Sequence, residues 1–233
     1  MKRLLNLFFP PRCAVCGEVL EIGERKGFLC KDCAEDMPYI PEGECPHCGE
    51  KTDRKGFCSF CLKEFAFSSA CAVFPYEEVR DAIHLFKYDG DKTIGKGLGE
   101  LMADYLLNHQ QEFLQKADVM VSVPLHPKKE KYRGFNQTHI LGDRISEKTG
   151  LVFEKGALER KRETIAQSEL NPAERKINLQ DAFHTSVDFT GKRVLLIDDI
   201  FTTGTTCNEC AKVLCRAGAE EVLAYSLSAA GTK

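Results

Sequence analysis

Two groups of residues have the types and spacing that chemistry requires. Eight of the twelve cysteines fall within the first 61 residues as four Cys-x-x-Cys pairs: Cys13/Cys16, Cys30/Cys33, Cys45/Cys48 and Cys58/Cys61. This spacing lets both sulfurs of a pair turn toward one ion, and two pairs complete a tetrahedral thiolate shell for zinc. The second group lies in "LLIDDIFTTGTT", residues 195–206, where an apolar run ends on Asp198 and Asp199 and passes into Thr202, Thr203, Gly204, Thr205 and Thr206. Small residues let backbone amides converge, threonine hydroxyls add donors, and the start of the next helix adds its positive end. The stretch therefore predicts an anion cup sized for a phosphate monoester. No lysine stands in the cup, which argues against a nucleoside triphosphate. Phosphate on one side and two acids facing a vicinal diol on the other describe a ribose 5-phosphate.

Eight thiolates predict two zinc ions. Consecutive pairs would give the ribbons Cys13/Cys16/Cys30/Cys33 and Cys45/Cys48/Cys58/Cys61, whereas a crossed arrangement would join the first pair to the third and the second to the fourth. The spacing leaves both open. A disulfide framework would need an oxidising compartment and an export signal, and the opening "MKRLLNLFFPPRC" has neither the apolar length nor the cleavage site of one. It reads as a short packing segment. His47 reads as solvent-facing, since the cysteine set is already complete. So small a region buries little apolar surface, and its folding is expected to depend on metal.

The knuckles stop before Phe65, and alternating strand and helix patterns follow. The chain thus divides into a cysteine-rich zinc-ribbon domain over 1–65 and a larger domain over 66–233. Strands are expected at 70–76, 118–124, 193–198 and 221–228, and helices at 79–88, 98–114, 136–150 and 206–219. Alternation of this kind predicts an α/β fold, a parallel sheet flanked by helices, with ligands beyond the carboxyl ends of its strands. Two places qualify, the loop after Val123 and the loop after Ile197. "GDKTIGKG" (90–97) nearly spells a P-loop, but Gly97 stands where a hydroxyl should reach magnesium, so the stretch reads as a turn opening the next helix. Cys207, Cys210 and Cys215 read as small packing residues of a helix.

A 43% hydrophobic, 29% charged chain is that of an ordinary globular protein, and its net charge of -3 argues against gripping nucleic acid by bulk charge. A polyanion site would have to be local. No run of about 18 apolar residues occurs, so no membrane span is expected and a cytoplasmic location follows.

"VLLIDDIFTTGTT" resembles the signature of type I phosphoribosyltransferases, whose ligand is phosphoribosyl pyrophosphate (PRPP). The chain as a whole resembles the ComF (ComFC) family, phosphoribosyltransferase-like proteins with an N-terminal zinc region that are linked to DNA uptake in natural competence. "FFPPRCAVCG", "FKYDGD", "VPLHPKKEKYRGFNQ" and "RETIAQSELNPAERKINLQDAF" carry the resemblance nearly end to end.

The resemblance implies that Asp198 and Asp199 bind the ribose hydroxyls, directly or through a metal's water shell, and that Thr202 to Thr206 hold the 5-phosphate. It places Pro124 to Arg133 at the pyrophosphate loop, with Lys128, Lys129 and Arg133 neutralising a diphosphate that magnesium bridges. Arg133, Asn136 and Gln137 would reach the site from a helix start, unless Asn136 is simply the helix cap. Residues 160–183 correspond to a mobile hood, with Arg162, Thr164, Gln167, Arg175 and Asn178 as its polar candidates. The implied chemistry is displacement of diphosphate at the anomeric carbon. Thr202 departs from the acid that purine salvage enzymes carry there, so hypoxanthine or guanine transfer is not expected. The expected function is PRPP binding with handling of incoming single-stranded DNA, beside a partner such as the competence helicase of the ComF operon. The alternatives are a PRPP-dependent transferase of nucleotide metabolism or a non-catalytic PRPP-sensing regulator.

Overall fold

The run from Arg193 to Phe201 is buried along almost its whole length, as befits a strand covered on both faces of a parallel sheet. A computed structural model describes residues 12–20, 28–41, 43–45, 48, 51–52, 56–63, 65–89, 92–161 and 182–231. In chain order come α1 (Lys31–Glu35), α2 (Ser59–Leu62), β1 (Ser69–Pro75), α3 (Tyr76–His84) and a π-helical turn (Leu85–Asp89). Then follow α4 (Lys92–His109), α5 (Gln111–Lys116), β2 (Val119–Ser122), α6 (Pro127–Arg133) and α7 (Gln137–Thr149). The chain continues through β3 (Glu159–Arg160), β4 (Phe183–His184), β5 (Arg193–Phe201), α8 (Thr205–Arg216) and β6 (Glu221–Ala229). The main sheet has the order β1-β6-β5-β2 with every pairing parallel, and β3 pairs antiparallel with β4.

Alternate residues of each strand face opposite layers. Leu195, Ile197, Leu223 and Tyr225 join α3, α4 and α7 in one core, while Val194, Leu196, Val222 and Ala224 join α8 and β4 in the other. The cysteine-rich head contributes to both. Ala14, Leu20, Phe28 and Leu29 enter the first core, and Cys45 and Phe57 enter the second. The head also hydrogen-bonds the edge strand β1, whose Val73 and Ala70 carbonyls accept from the amides of Ile40 and Phe57, each at 2.9 Å. Engaging an edge in this way removes backbone groups that would otherwise template aggregation.

Four elements differ from the sequence expectation. The helix expected over 98–114 is two helices, parted at Gln110, whose amide turns back to the Tyr105 and Leu106 carbonyls. It also starts earlier, at Lys92, so most of the glycine-rich stretch is helical rather than a turn. Its glycines are there for contact, because a side chain at Gly95 would collide with Phe86 and one at Gly97 with Phe28. The helix over 79–88 is α-helical only to His84 and closes with the π turn. β5 runs beyond Asp198 to Phe201, so both acids lie within the strand. They project past the last rung with β2, Ser122 opposite Ile197, yet keep their ladder with β6. Most of the loop expected at 124–133 is the helix α6, capped by His126 Nδ1, which accepts from the Lys128 amide at 3.2 Å. His47 and the hood candidates Arg162, Thr164, Gln167, Arg175 and Asn178 lie outside the described residues. No helix among the described residues is long and apolar enough to cross a membrane.

Candidate functional site

The cysteines gather as two consecutive quartets, Cys13/Cys16/Cys30/Cys33 and Cys45/Cys48/Cys58/Cys61, with the sulfurs of each within 4.8 Å of one another. This resolves the pairing in favour of two separate ribbons. A tetrahedral zinc shell with bonds of about 2.3 Å requires sulfurs about 3.8 Å apart. Cys16 and Cys30 stand at 3.8 Å, as do Cys48 and Cys58. Backbone amides also point at the sulfurs, the Cys33 amide at Cys30 Sγ at 3.4 Å and the Cys58 amide at Cys45 Sγ at 3.3 Å. Donor type, spacing and amide contacts all fit zinc, so the eight cysteines form two four-cysteine clusters consistent with two zinc sites.

The strand period sends the two acids to opposite sides of β5. Asp199 faces α7 and the π turn, where its Oδ2 meets Lys87 Nζ at 2.9 Å and accepts from Gln137 Nε2 at 2.6 Å. Arg133 donates in turn to Gln137 Oε1 at 2.5 Å. Burial pushes the Asp199 carboxyl up, but Lys87, Gln137 and Arg133 outweigh it and hold the group below its ordinary value. Asp198 faces α8. Its Oδ1 accepts from the Asp199 amide at 2.8 Å, and Cys207 Sγ lies 3.5 Å from its Oδ2. Burial, then the charge of Asp199, raises its carboxyl to about 7. One acid is therefore ionised and the other keeps a proton to near neutrality.

Lys87 is the site residue that the sequence reading missed. It stood in plain view in "FKYDGD", but a regular helix through 79–88 gives no reason to aim it at β5. The π turn supplies that reason, since widening one turn re-aims the side chains that follow it.

The cup residues Thr202 to Thr206 link β5 to α8. Thr203 and Thr205 share a hydrogen bond between their hydroxyls at 2.8 Å, and Gly204, at φ +71°, opens the helix. A left-handed backbone here suits glycine, and a Cβ would also stand 2.6 Å from the Phe201 ring. On the opposite side, Gln137 contacts Asp199 directly and Arg133 reaches it through Gln137. Asn136 does not: its Oδ1 accepts from the Thr138 amide at 3.1 Å, the work of a helix cap. Thr138 Oγ1 donates to the Val123 carbonyl at 2.8 Å and pins α7 to the end of β2. Lys128 and Lys129 are exposed on α6 along the rim. Cys207 and Cys210 are buried, and burial pushes both thiols well above their ordinary value, as expected of packing residues, whereas Cys215 is exposed.

A strand-end acid pair, a threonine-glycine cup and two four-cysteine clusters define a double zinc ribbon joined to a phosphoribosyltransferase-type domain. Family models agree, the double zinc ribbon domain matching residues 4–62 and the phosphoribosyl transferase domain matching residues 139–233. The chain is 30% identical to Competence protein F of Haemophilus influenzae, covering 96% of this chain and 99% of that one. It is 32% identical to Competence protein ComFC of Streptococcus pneumoniae (93% and 99%) and 30% identical to DNA utilization protein YhgH of Escherichia coli K12 (95% and 98%). It belongs to the ComF/ComFC family.

Proposed function

We propose that the protein binds PRPP with magnesium at the carboxyl end of β5 and handles incoming single-stranded DNA in the cytoplasm. The metal-binding head, 1–65, and the phosphoribosyltransferase-like domain, 66–233, act together. The observation that carries this reading is the buried Asp198–Asp199 pair set directly before the Thr202–Thr206 cup. In it the cup takes the 5-phosphate, Asp198 and Asp199 take the ribose hydroxyls, and Arg133 and Gln137, with Lys128 and Lys129 from the rim, meet the diphosphate. Magnesium, when bound, neutralises the leaving diphosphate. Because Asp199 is held by Lys87, ligand binding must displace that lysine, and the nearest new anion for it is the diphosphate.

Two observations support the nucleic-acid part. The relatives are named for competence and DNA utilization, and the rim presents a basic, aromatic surface. Lys128, Lys129, Lys131 and Arg133 share α6 with Tyr132, which is 91% exposed, and Arg133 lies over the ring of the exposed Tyr88 at 5.5 Å. Cations tracking a backbone beside rings that stack bases are the means by which single strands are held without sequence preference. The family setting makes a competence helicase the expected protein partner.

Calorimetry with PRPP and magnesium tests the first part: wild type should bind, and the Asp198→Asn/Asp199→Asn double variant should not. Failure of the wild type to bind refutes it. Screening for diphosphate release with bases, nucleosides and single-stranded DNA as acceptors separates an enzyme from a binding module. For the DNA part, Tyr132→Ala and Lys131→Ala should weaken binding of a labelled oligonucleotide, and added salt should weaken the wild type steeply.

A further inference from the structure

The two metal centres are not equivalent in what they touch. The first packs against α4, with Phe28 set into the gap over Gly97. The second lies under the anion cup. Phe57, directly before the ligand Cys58, meets the ring of Phe201 edge-on at 4.5 Å, and Phe201 is the residue before the first cup threonine. Phe65, four residues after the ligand Cys61, stacks on Phe67 at 4.6 Å and meets Phe201 edge-on at 6.2 Å. The Gly204 backbone rests on the same rings, for a Cβ there would stand 2.6 Å from Phe201 and 2.9 Å from Phe65. A hydrogen bond closes the connection, the Ala66 amide donating to Asn208 Oδ1 at 2.7 Å in the first turn of α8. From the ligands outward the path is short, since the Leu62 amide donates to the Cys58 carbonyl and the Phe65 amide to the Leu62 carbonyl.

We propose that the second four-cysteine centre positions the anion cup. Through Phe57 and Phe65 it fixes the floor beneath Phe201 and Gly204, so that the cup's order, and its affinity for a phosphorylated sugar, follow the metal state of this centre and not of the first. The affinity half rests on the cup reading above; the ordering half stands by itself. Phe57 and Phe65 are positioning residues, for they act through Phe201 and Gly204. The small region around Cys45 to Cys61 has little apolar surface of its own, so its metal sets where those rings stand.

Four variants test this with three readouts: zinc per chain, amide hydrogen exchange across residues 202–206, and calorimetric affinity for PRPP with magnesium. Cys61→Ser should lose one ion, speed exchange in 202–206 and weaken PRPP. Phe65→Ala and Phe57→Leu should keep both ions yet speed the same exchange, and Phe65→Ala should weaken PRPP roughly tenfold, the worth of one aromatic contact and its burial. Cys16→Ser should lose the other ion and leave both the exchange and the affinity at wild-type values. The proposal is overturned if Phe65→Ala leaves exchange in 202–206 unchanged, or if Cys16→Ser disturbs it as much as Cys61→Ser does. If the wild type binds no PRPP while the exchange pattern holds, the ligand reading fails and the positioning stands.

Discussion

Replacing Asp198 with asparagine should stabilise the protein, and increasingly so as pH rises. Burial and the neighbouring Asp199 lift this carboxyl from 3.8 to about 7 in the folded chain. An acid raised in this way binds its proton more tightly folded than unfolded, so its cost to stability is absent below about pH 4. The cost grows as pH climbs from 3.8 toward about 7 and is complete above that. A gap of about three pH units at about 1.4 kcal/mol each sets a ceiling of about 4 kcal/mol. Relaxation of the buried site brings the expected gain to about 2 kcal/mol, or a rise in melting temperature of about 4–8 °C for a chain of this length. Asparagine retains the carbonyl oxygen that accepts from the Asp199 amide, so the local backbone is kept. Thermal melts of wild type and Asp198→Asn at about pH 5 and about pH 8 provide the assay, with the larger gain due at the higher pH. A gain equal at both pH values, or a loss at the higher one, refutes the assignment of the proton to Asp198.

Lys87→Met should destabilise the fold by about 3–5 kcal/mol at neutral pH in denaturant titration, because it strands the buried Asp199 charge, and the loss should shrink as acid protonates that group. Gly204→Ala meets both a left-handed backbone and the rings of Phe201 and Phe65, and calorimetric melts should show a cost of about 1–3 kcal/mol. Metal analysis of the purified protein should find about two zinc ions per chain, and one or none would contradict the two quartets. A chain begun at residue 66 loses the amides of Ile40 and Phe57 from β1 together with the rings beneath the cup, and should aggregate on expression where the full chain does not.

The parts of the fold legible in the sequence are those with a strict period or a fixed spacing. Four Cys-x-x-Cys pairs within 61 residues announce metal knuckles, whereas the same spacing at Cys207 and Cys210 lies in a helix and packs, and the apolar run before Asp198 announces a central strand. The pairing of the knuckles was not legible, because nothing local distinguishes consecutive from crossed; it is set by which core each ribbon packs into. Gln110 breaks a helix without proline or glycine, so the pattern of apolar residues runs straight through it. Lys87 was hidden for a related reason: a π turn leaves no mark in composition, and only the third dimension brings residue 87 against residue 199. Asn136 shows the reverse case: the helix-cap contact was readable from its place before the helix, and its Oδ1 accepts from the Thr138 amide.

The adjacency of Asp198 and Asp199 invites the thought of two equal acids, yet a strand forbids it. Successive side chains leave β5 on opposite faces, so the acids meet different neighbours by geometry alone. On the α7 face a lysine, a glutamine and an arginine are within reach, and Asp199 is ionised there. On the α8 face Asp198 meets the Cys207 thiol; burial and Asp199 one residue away oppose its charge and outweigh Lys87 and Arg160, which favour it. A pair so divided can accept a hydrogen bond with one member while the other still has a proton to give. Two vicinal hydroxyls, each both donor and acceptor, are matched by that combination better than by two carboxylates held in one state.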